Sequence, residues 1–325
     1  MRATVLMGAI GAVMLAGIAA AQPFSANYPT KPLRILVGFS PGGASDITTR
    51  IIGQKLSEAF GQPVVTDNRA GASGAIAARI VAAAAPDGYT LLAGATSILA
   101  INPAMMSNLG YDPVRDFTPV SQIVSMPQLL VVHPSVKAGT LKELIALAKA
   151  RPGELNYSSS GSGSSSHLAI ELLKHMTGIN LVHVPFKGSG QSMPALLAGQ
   201  VQMIFDPLPT SLPHAKSGKL RALAVSTVKR SPAAPDVPTA AEAGVPGYDS
   251  SLWYGLLLPA GASPALVATL NKTTNDALRA PDLVERFAAL GAEPVGSTAA
   301  ALGKTIADEM VKWARVIKSA GIRGE

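Results

Sequence analysis

Cysteine is absent from the 325-residue chain, which excludes disulfide frameworks and Cys-ligated zinc or iron–sulfur sites. Charge is scarce as well: 14% of residues are charged, against about 25% in an average soluble domain, with Lys+Arg 27 and Asp+Glu 20. No run of five or six consecutive basic residues occurs, so the net +7 gives no footprint for nucleic acid. Catalytic signatures are missing in turn. There is no Gly-x-Ser-x-Gly elbow, no His-Glu-x-x-His and no Gly-x-Gly-x-x-Gly after a strand. Gly303-Lys304-Thr305 looks like the end of a phosphate loop, but Thr298 stands where its first glycine must be. The histidines at 133, 167, 175, 183 and 214 show no pair four apart and no adjoining carboxylate cluster, so neither a metal nor a cofactor is expected.

What the chain does have is apolar content, 48% of residues, enough for a large core and about two domains. Part of it is a leader. Arg2 supplies a positive start, Val5 to Ile18 an apolar stretch, and Ala19-Ala20-Ala21 small residues at the exit, the pattern of a secretory signal cleaved after Ala21. An uncleaved anchor is the alternative, since a membrane span needs about 20 apolar residues. Nothing later reaches 18 uninterrupted apolar residues. Cleavage removes 21 of the 325 residues and the charge of Arg2, leaving an exported protein of net charge +6.

In the remainder, short apolar runs alternate with segments of helical period, which predicts an α/β fold whose strands are mostly parallel and buried on both faces. Strands are expected at Leu33–Phe39, Pro63–Thr66, Tyr89–Gly94, Gln128–His133, Leu155–Ser158, Leu181–Phe186, Val201–Phe205, Leu220–Ser226 and Leu252–Leu258. Helix ends are readable too. Thr140 and Glu143 form a capping box, Ser263-Pro264 is a cap followed by proline, and Leu302, Ile306, Met310, Trp313 and Ile317 make one apolar stripe of a final helix.

Candidate binding chemistry sits where strands hand over to helices. Phe39, Ser40, Gly42, Gly43, Ala44 and Asp46 follow the first strand and open a helix; Ser160, Gly163, Ser164 and Ser165 do so again; Lys187-Gly188-Ser189-Gly190 is a weaker third loop, and Thr96 follows another strand. Helix N-termini offer unpaired N–H groups and a partial positive charge, so such loops suit an anion held by backbone and hydroxyls. Asp46 would repel an anion and reads first as a capping residue, with water-mediated contact open. Asp206 either accepts from a ligand or braces its loop. Lys187 and Arg69 are the candidate cationic partners, or simply solvated.

Tyr28 to Arg34, Phe39 to Asp46, Asp67 to Gly74, Pro86 to Leu91, Gly161 to Leu168 and Gly218 to Leu223 closely resemble, in order and over essentially the whole mature chain, the tripartite tricarboxylate transporter substrate-binding family, the Bug-type periplasmic receptors. Asp67 and Ala70 depart from the expected Glu and Pro, and a single Pro41 stands where a second proline is common. The resemblance implies a two-lobed Venus flytrap fold with residues 22–127 and 250–325 in one lobe and 128–249 in the other. The chain would leave the first lobe near Ser125 and return near Asp249. It further implies that the Gly42-Gly43 and Gly163-Ser164-Ser165 loops grip a carboxylate-bearing solute, with Thr96 and Asp206 lining the cleft. The expected partners are a small organic anion and integral membrane permease subunits, with the receptor a periplasmic monomer. Two rivals stay open. One is a periplasmic enzyme acting on an organic acid with Ser164 or Asp46 as nucleophile or base, for which His167 is the only nearby partner in sequence; the other is a solute-sensing subunit of a membrane kinase.

Overall fold

A computed structural model describes residues 27–322, so the leader expected over residues 1–21 lies outside the described residues. Along the chain, β1 (Leu33–Val37), α1 (Ala44–Phe60), β2 (Val64–Asn68), α2 (Ala75–Ala82) and β3 (Thr90–Ala95) form two successive βα units. A π-helical turn, Ser97–Ile101, then runs into α3 (Asn102–Met105) and on to β4 (Phe117–Met126). The middle of the chain follows: β5 (Gln128–Val132), α4 (Leu141–Ala150), β6 (Asn156–Ser159), α5 (Ser165–Thr177), β7 (Val182–Pro185), α6 (Ser189–Leu197), β8 (Met203–Pro207), α7 (Leu208–Lys216) and β9 (Arg221–Val225). The chain ends in β10 (Leu252–Pro259), α8 (Pro264–Leu278), α9 (Pro281–Ala289), β11 (Glu293–Pro294) and α10 (Ala299–Ser319).

The strands make two sheets, ordered β11-β4-β10-β3-β1-β2 and β7-β6-β8-β5-β9. Both are mixed. β1, β2 and β3 pair parallel, as do β6, β7 and β8, but β10 runs antiparallel between β3 and β4, and β5 antiparallel between β8 and β9. The parallel share is therefore smaller than the alternating pattern predicts. The cause is topological: β4 passes to β5 of the other sheet through Pro127 alone, and β10 re-enters the first sheet, so the strand that enters after each crossing, β5 or β10, is inserted against the prevailing direction and makes antiparallel ladders on both sides. Burial on both faces holds for β3, β5, β8 and β10, whereas edge strands β2 and β7 are largely part-exposed.

Every expected strand is present within two residues of its expected start. β4 was not expected. Pro119 and the polar Thr118, Ser121 and Gln122 break its apolar pattern, and the ladder with β10 accommodates the proline at a register shift where Leu257 faces Pro119.

The two sheets carry separate cores. Leu36, Ile52, Leu92, Leu257 and Phe287 are fully buried around the first, and Leu130, Tyr157, Phe205 and Tyr248 around the second. A third cluster spans them: Trp313 and Ile317 of α10 pack with Ile101 and Met105 on one side and Leu168 of α5 on the other. The apolar stripe of the last helix thus serves packing, and Trp313 Nε1 is satisfied by Glu309 at 3.0 Å. At α4, Thr140 Oγ1 accepts from the Glu143 N–H at 3.2 Å, while the Glu143 carboxylate reaches the Gly139 N–H at 2.6 Å, one residue before the expected partner. Thr140→Ala is expected to lower stability by about 1 kcal/mol, measured as a shift in urea midpoint at constant slope.

Candidate functional site

Three helix N-termini from both sheets meet in one place. Gly43 caps α1 in an extended conformation, Ser164 caps α5 with its hydroxyl accepting from the His167 N–H at 3.3 Å, and Gly188 caps α6. They surround a small cavity of about 30 Å³ whose wall holds Phe39, Gly43, Ser160, Ser164 and Ser165 from the expected residues. No charged side chain lines it. By general hydration volumes it holds about two waters, or the oxygens of one carboxylate. The donors are aimed by local structure: a strand ends, the backbone turns, and the first helical N–H groups are left without intrahelical acceptors.

The loop after β1 closes against the loop after β7. Ser40 N–H donates to the Lys187 carbonyl at 2.9 Å, and a side chain at Gly43 would stand 3.7 Å from Ser189 N. The loop after β6 is stitched by hydroxyls. Ser160 N–H donates to Ser166 Oγ at 2.9 Å, and Ser164 Oγ lies 3.0 Å from Ser166 Oγ. Gly163 takes φ +80°, a conformation that favours glycine, and turns its N–H onto His167 Nδ1 at 3.1 Å.

Several expected residues stand behind the cavity wall rather than on it. Asp46 accepts from the Gly42 N–H at 3.0 Å and from Arg50 Nε at 3.1 Å. Burial pushes its carboxyl up, but the Arg50, Gly42 and Asn68 hydrogen bonds outweigh it and the net shift is downward. It therefore braces the Gly42-Gly43 turn. Thr96 ties β3 to β10 through both the N–H and the carbonyl of Trp253. Asp206 is fully buried, accepts from Ser189 Oγ at 2.5 Å and from Thr210 Oγ1, and is pushed up by that burial to about 6. It fixes Ser189, the first residue of α6. Ser40 and Ala44 are buried beside the cavity without lining it. Arg69 is paired with Asp67 at 3.0 Å, while Lys187 is exposed and makes no ion pair among the described residues.

Ser45, Ser166 and Ser189 from the three candidate loops and Ala95 and Ser97 beside Thr96 also line the wall, and Gln128, Pro207, Leu252 and Tyr254, which were not anticipated, complete it. Ser45 Oγ and Gln128 Oε1 are buried with no protein partner, as is the nearby Trp253 Nε1. Ser45 and Ser166 were readable from the helix-opening signal that marked their neighbours; Gln128, Leu252 and Tyr254 arrive from the crossing strands and carry no local signal.

Below the α5 loop, Tyr157, His183 and His167 stack, with centroids 4.8 and 4.2 Å apart in that order. Ser159 Oγ lies 2.6 Å from His183 Nε2 but is buried and also accepts from the Gly161 N–H. His167 faces the Gly163 backbone, not Ser164 Oγ. Neither pair presents an activated hydroxyl to the cavity.

The description "tripartite tricarboxylate transporter family receptor" fits residues 48–322 of the chain. The chain belongs to that family. Protein BugT of Bordetella pertussis is 41% identical over 99% of both chains. Among solved structures, the R. palustris protein Rpa4515 with adipate superposes with a TM-score of 0.90 at 40% identity, covering 92% of this chain and all of that one. MatC from Rhodopseudomonas palustris with bound malate gives 0.86 at 33% identity, covering 89% of this chain and all of the other. The two-lobed α/β architecture and the receptor function of this family follow for the chain, and its relatives include periplasmic binding proteins. Among the described residues no helix is long and apolar enough to cross a membrane.

Proposed function

We propose that this receptor binds a small organic carboxylate between its lobes outside the cytoplasm and presents it to a membrane permease, without chemical turnover and as a monomer. The lobes comprise residues 22–127 with 250–325, and 128–249, and the leader is removed after Ala21. The observation that carries the reading is the uncharged cavity onto which the N-termini of α1, α5 and α6 converge. Three partial positive charges with free N–H donors match a carboxylate, and exclusion of water strengthens each contact. Malate and adipate in the two similar structures are of the same class. The proposed ligand contacts are Phe39, Gly43, Ser160, Ser164 and Ser165, with Ser40, Gly42, Ala44, Asp46, Thr96, Gly163 and Asp206 holding them in place.

A thermal-shift panel of C3 to C8 dicarboxylates, hydroxy acids, amino acids and aromatic acids tests it. A ligand at 100 times its Kd adds about 2.7 kcal/mol. Gly43→Val, whose methyls fill the cavity while its Cβ meets ordinary contacts of 3.4 Å or more, is expected to erase the shift and to cost the free protein about 1 kcal/mol at the cap. A flat panel for the wild type, or turnover without retention of any acid, overturns the reading.

A further inference from the structure

We infer that the solute has a bulky apolar body, an aromatic ring rather than a short chain, which lies in a second interlobe groove and carries a far acidic group toward Lys187; this rests on the receptor reading above. The groove has about 600 Å³, within the usual range for small-molecule sites and some twentyfold larger than the cavity at the helix N-termini. The two abut. Ser160 lines both, and Gly38 on the groove side is followed directly by Phe39 on the cavity side. A four-carbon acid seated in the inner cavity would leave the groove to water, whereas a ring beyond the carboxylate would fill it.

The chemistry of the groove suits such a body. Met105, Met106 and Phe186 offer two adaptable thioethers and an aromatic ring, contacts that favour aromatic partners. Lys187 and Gln191 line the same groove, and among the described residues Lys187 is its only charged lining residue. The Lys187 carbonyl is fixed by Ser40 N–H across the cleft, so the closed form itself sets where this ammonium starts. The lobes also meet at the groove through Ala72 and Ser73, which line it. Ala72 and Ser73 both take φ near +46°, costly for residues with a Cβ, and the Ser73 hydroxyl donates to the Ser162 carbonyl of the opposite lobe. That strained turn gives the groove a wall only when the lobes meet.

Calorimetric titration of the mature protein with succinate, adipate, 3-phenylpropanoate and 3-(4-carboxyphenyl)propanoate tests the inference. The ring acids are expected to bind about tenfold or more tightly than succinate, from burial of the ring. The para-carboxylate is expected to add about threefold, and Lys187→Gln to remove that increment, as for an exposed ion pair. Ser107→Trp, on an exposed groove residue, is expected to reverse the preference toward succinate. Succinate binding as tightly as the ring acids, or a ring-to-succinate ratio unmoved by both variants while acids still bind, overturns the groove assignment and leaves the receptor reading standing. Failure of every acid to bind overturns the receptor reading, and this inference with it.

Discussion

Gly190→Ala is expected to fold at least as stably as the wild type and to bind its solute about a hundredfold more weakly. Gly190 is the second residue of α6 and its φ is not positive, so alanine suits the helix there and is favoured over glycine by about 1 kcal/mol. In the closed form, however, a Cβ on Gly190 would stand 2.1 Å from the Pro41 carbonyl oxygen and 3.1 Å from Ser40 Oγ, both on the loop after β1 of the other lobe. The first of these is backbone against a Cβ, and no rotamer relieves it. Only separation of the two loops does, which breaks the Ser40 N–H to Lys187 carbonyl bond and opens the cavity to water. Overpacking of this kind costs about 1–3 kcal/mol, borne only by the closed state, so the binding-competent fraction falls by about 5- to 150-fold and the apparent Kd rises with it. X-ray scattering with and without solute provides the second readout. The wild type is expected to contract on binding and the variant is not. Wild-type affinity in the variant would show that the cleft does not close on these loops.

That contact also marks the boundary of what the sequence makes legible. A helix N-terminus is a local feature, visible wherever an apolar run meets Gly, Ser or Pro and a 3.6-residue period begins, so Gly43, Ser160, Ser164 and Ser165 are found without a structure. What faces them is not local. Gly190 meets Pro41 across about 150 positions, and Gln128, Leu252 and Tyr254 reach the cavity because β5 and β10 are where the chain crosses between sheets. The same limit hides β4, where Pro119 spoils the apolar pattern that the register shift with β10 later absorbs. Asp46 and Asp206 show a related ambiguity. A carboxylate after a strand fits both a ligand contact and a brace, and only the Gly42 and Arg50 bonds of the one and the Ser189 and Thr210 bonds of the other separate these roles. The two-lobed division came from family resemblance, since periodicity finds strands but not which sheet each joins.

Two buried groups beside the site titrate in opposite senses, and single substitutions are expected to expose a pH dependence of about 3 kcal/mol that the wild type conceals. His167 is pushed down to about 4, first by burial and then by stacked His183 and by Lys174, with Glu171 opposing. Its neighbours are Tyr157 on β6, His183 on β7, and Glu171 and Lys174 on its own helix. Unfolding raises its affinity for a proton, so its contribution is full above about pH 6.5 and is lost as pH falls to 4, about 3 kcal/mol in all. Asp206 has the reverse sign. Burial raises it from 3.8 to about 6, so its charge costs about 3 kcal/mol above pH 6, a cost relieved as pH falls to 3.8. Between pH 6 and 4 the two nearly offset. Asp206→Asn, which keeps an acceptor and a donor for Ser189 and Thr210, is expected to be more stable than the wild type at pH 7.5 and to lose that advantage at pH 4. His167→Gln, which keeps an acceptor for the Gly163 N–H, is expected to gain on the wild type as pH falls. Unfolding free energies from urea titrations at pH 4, 5, 6 and 7.5 measure both, and the double variant should again track the wild type, because neither group shifts the other. Curves for both single variants parallel to the wild type would mean that neither side chain is sealed from water by its neighbours.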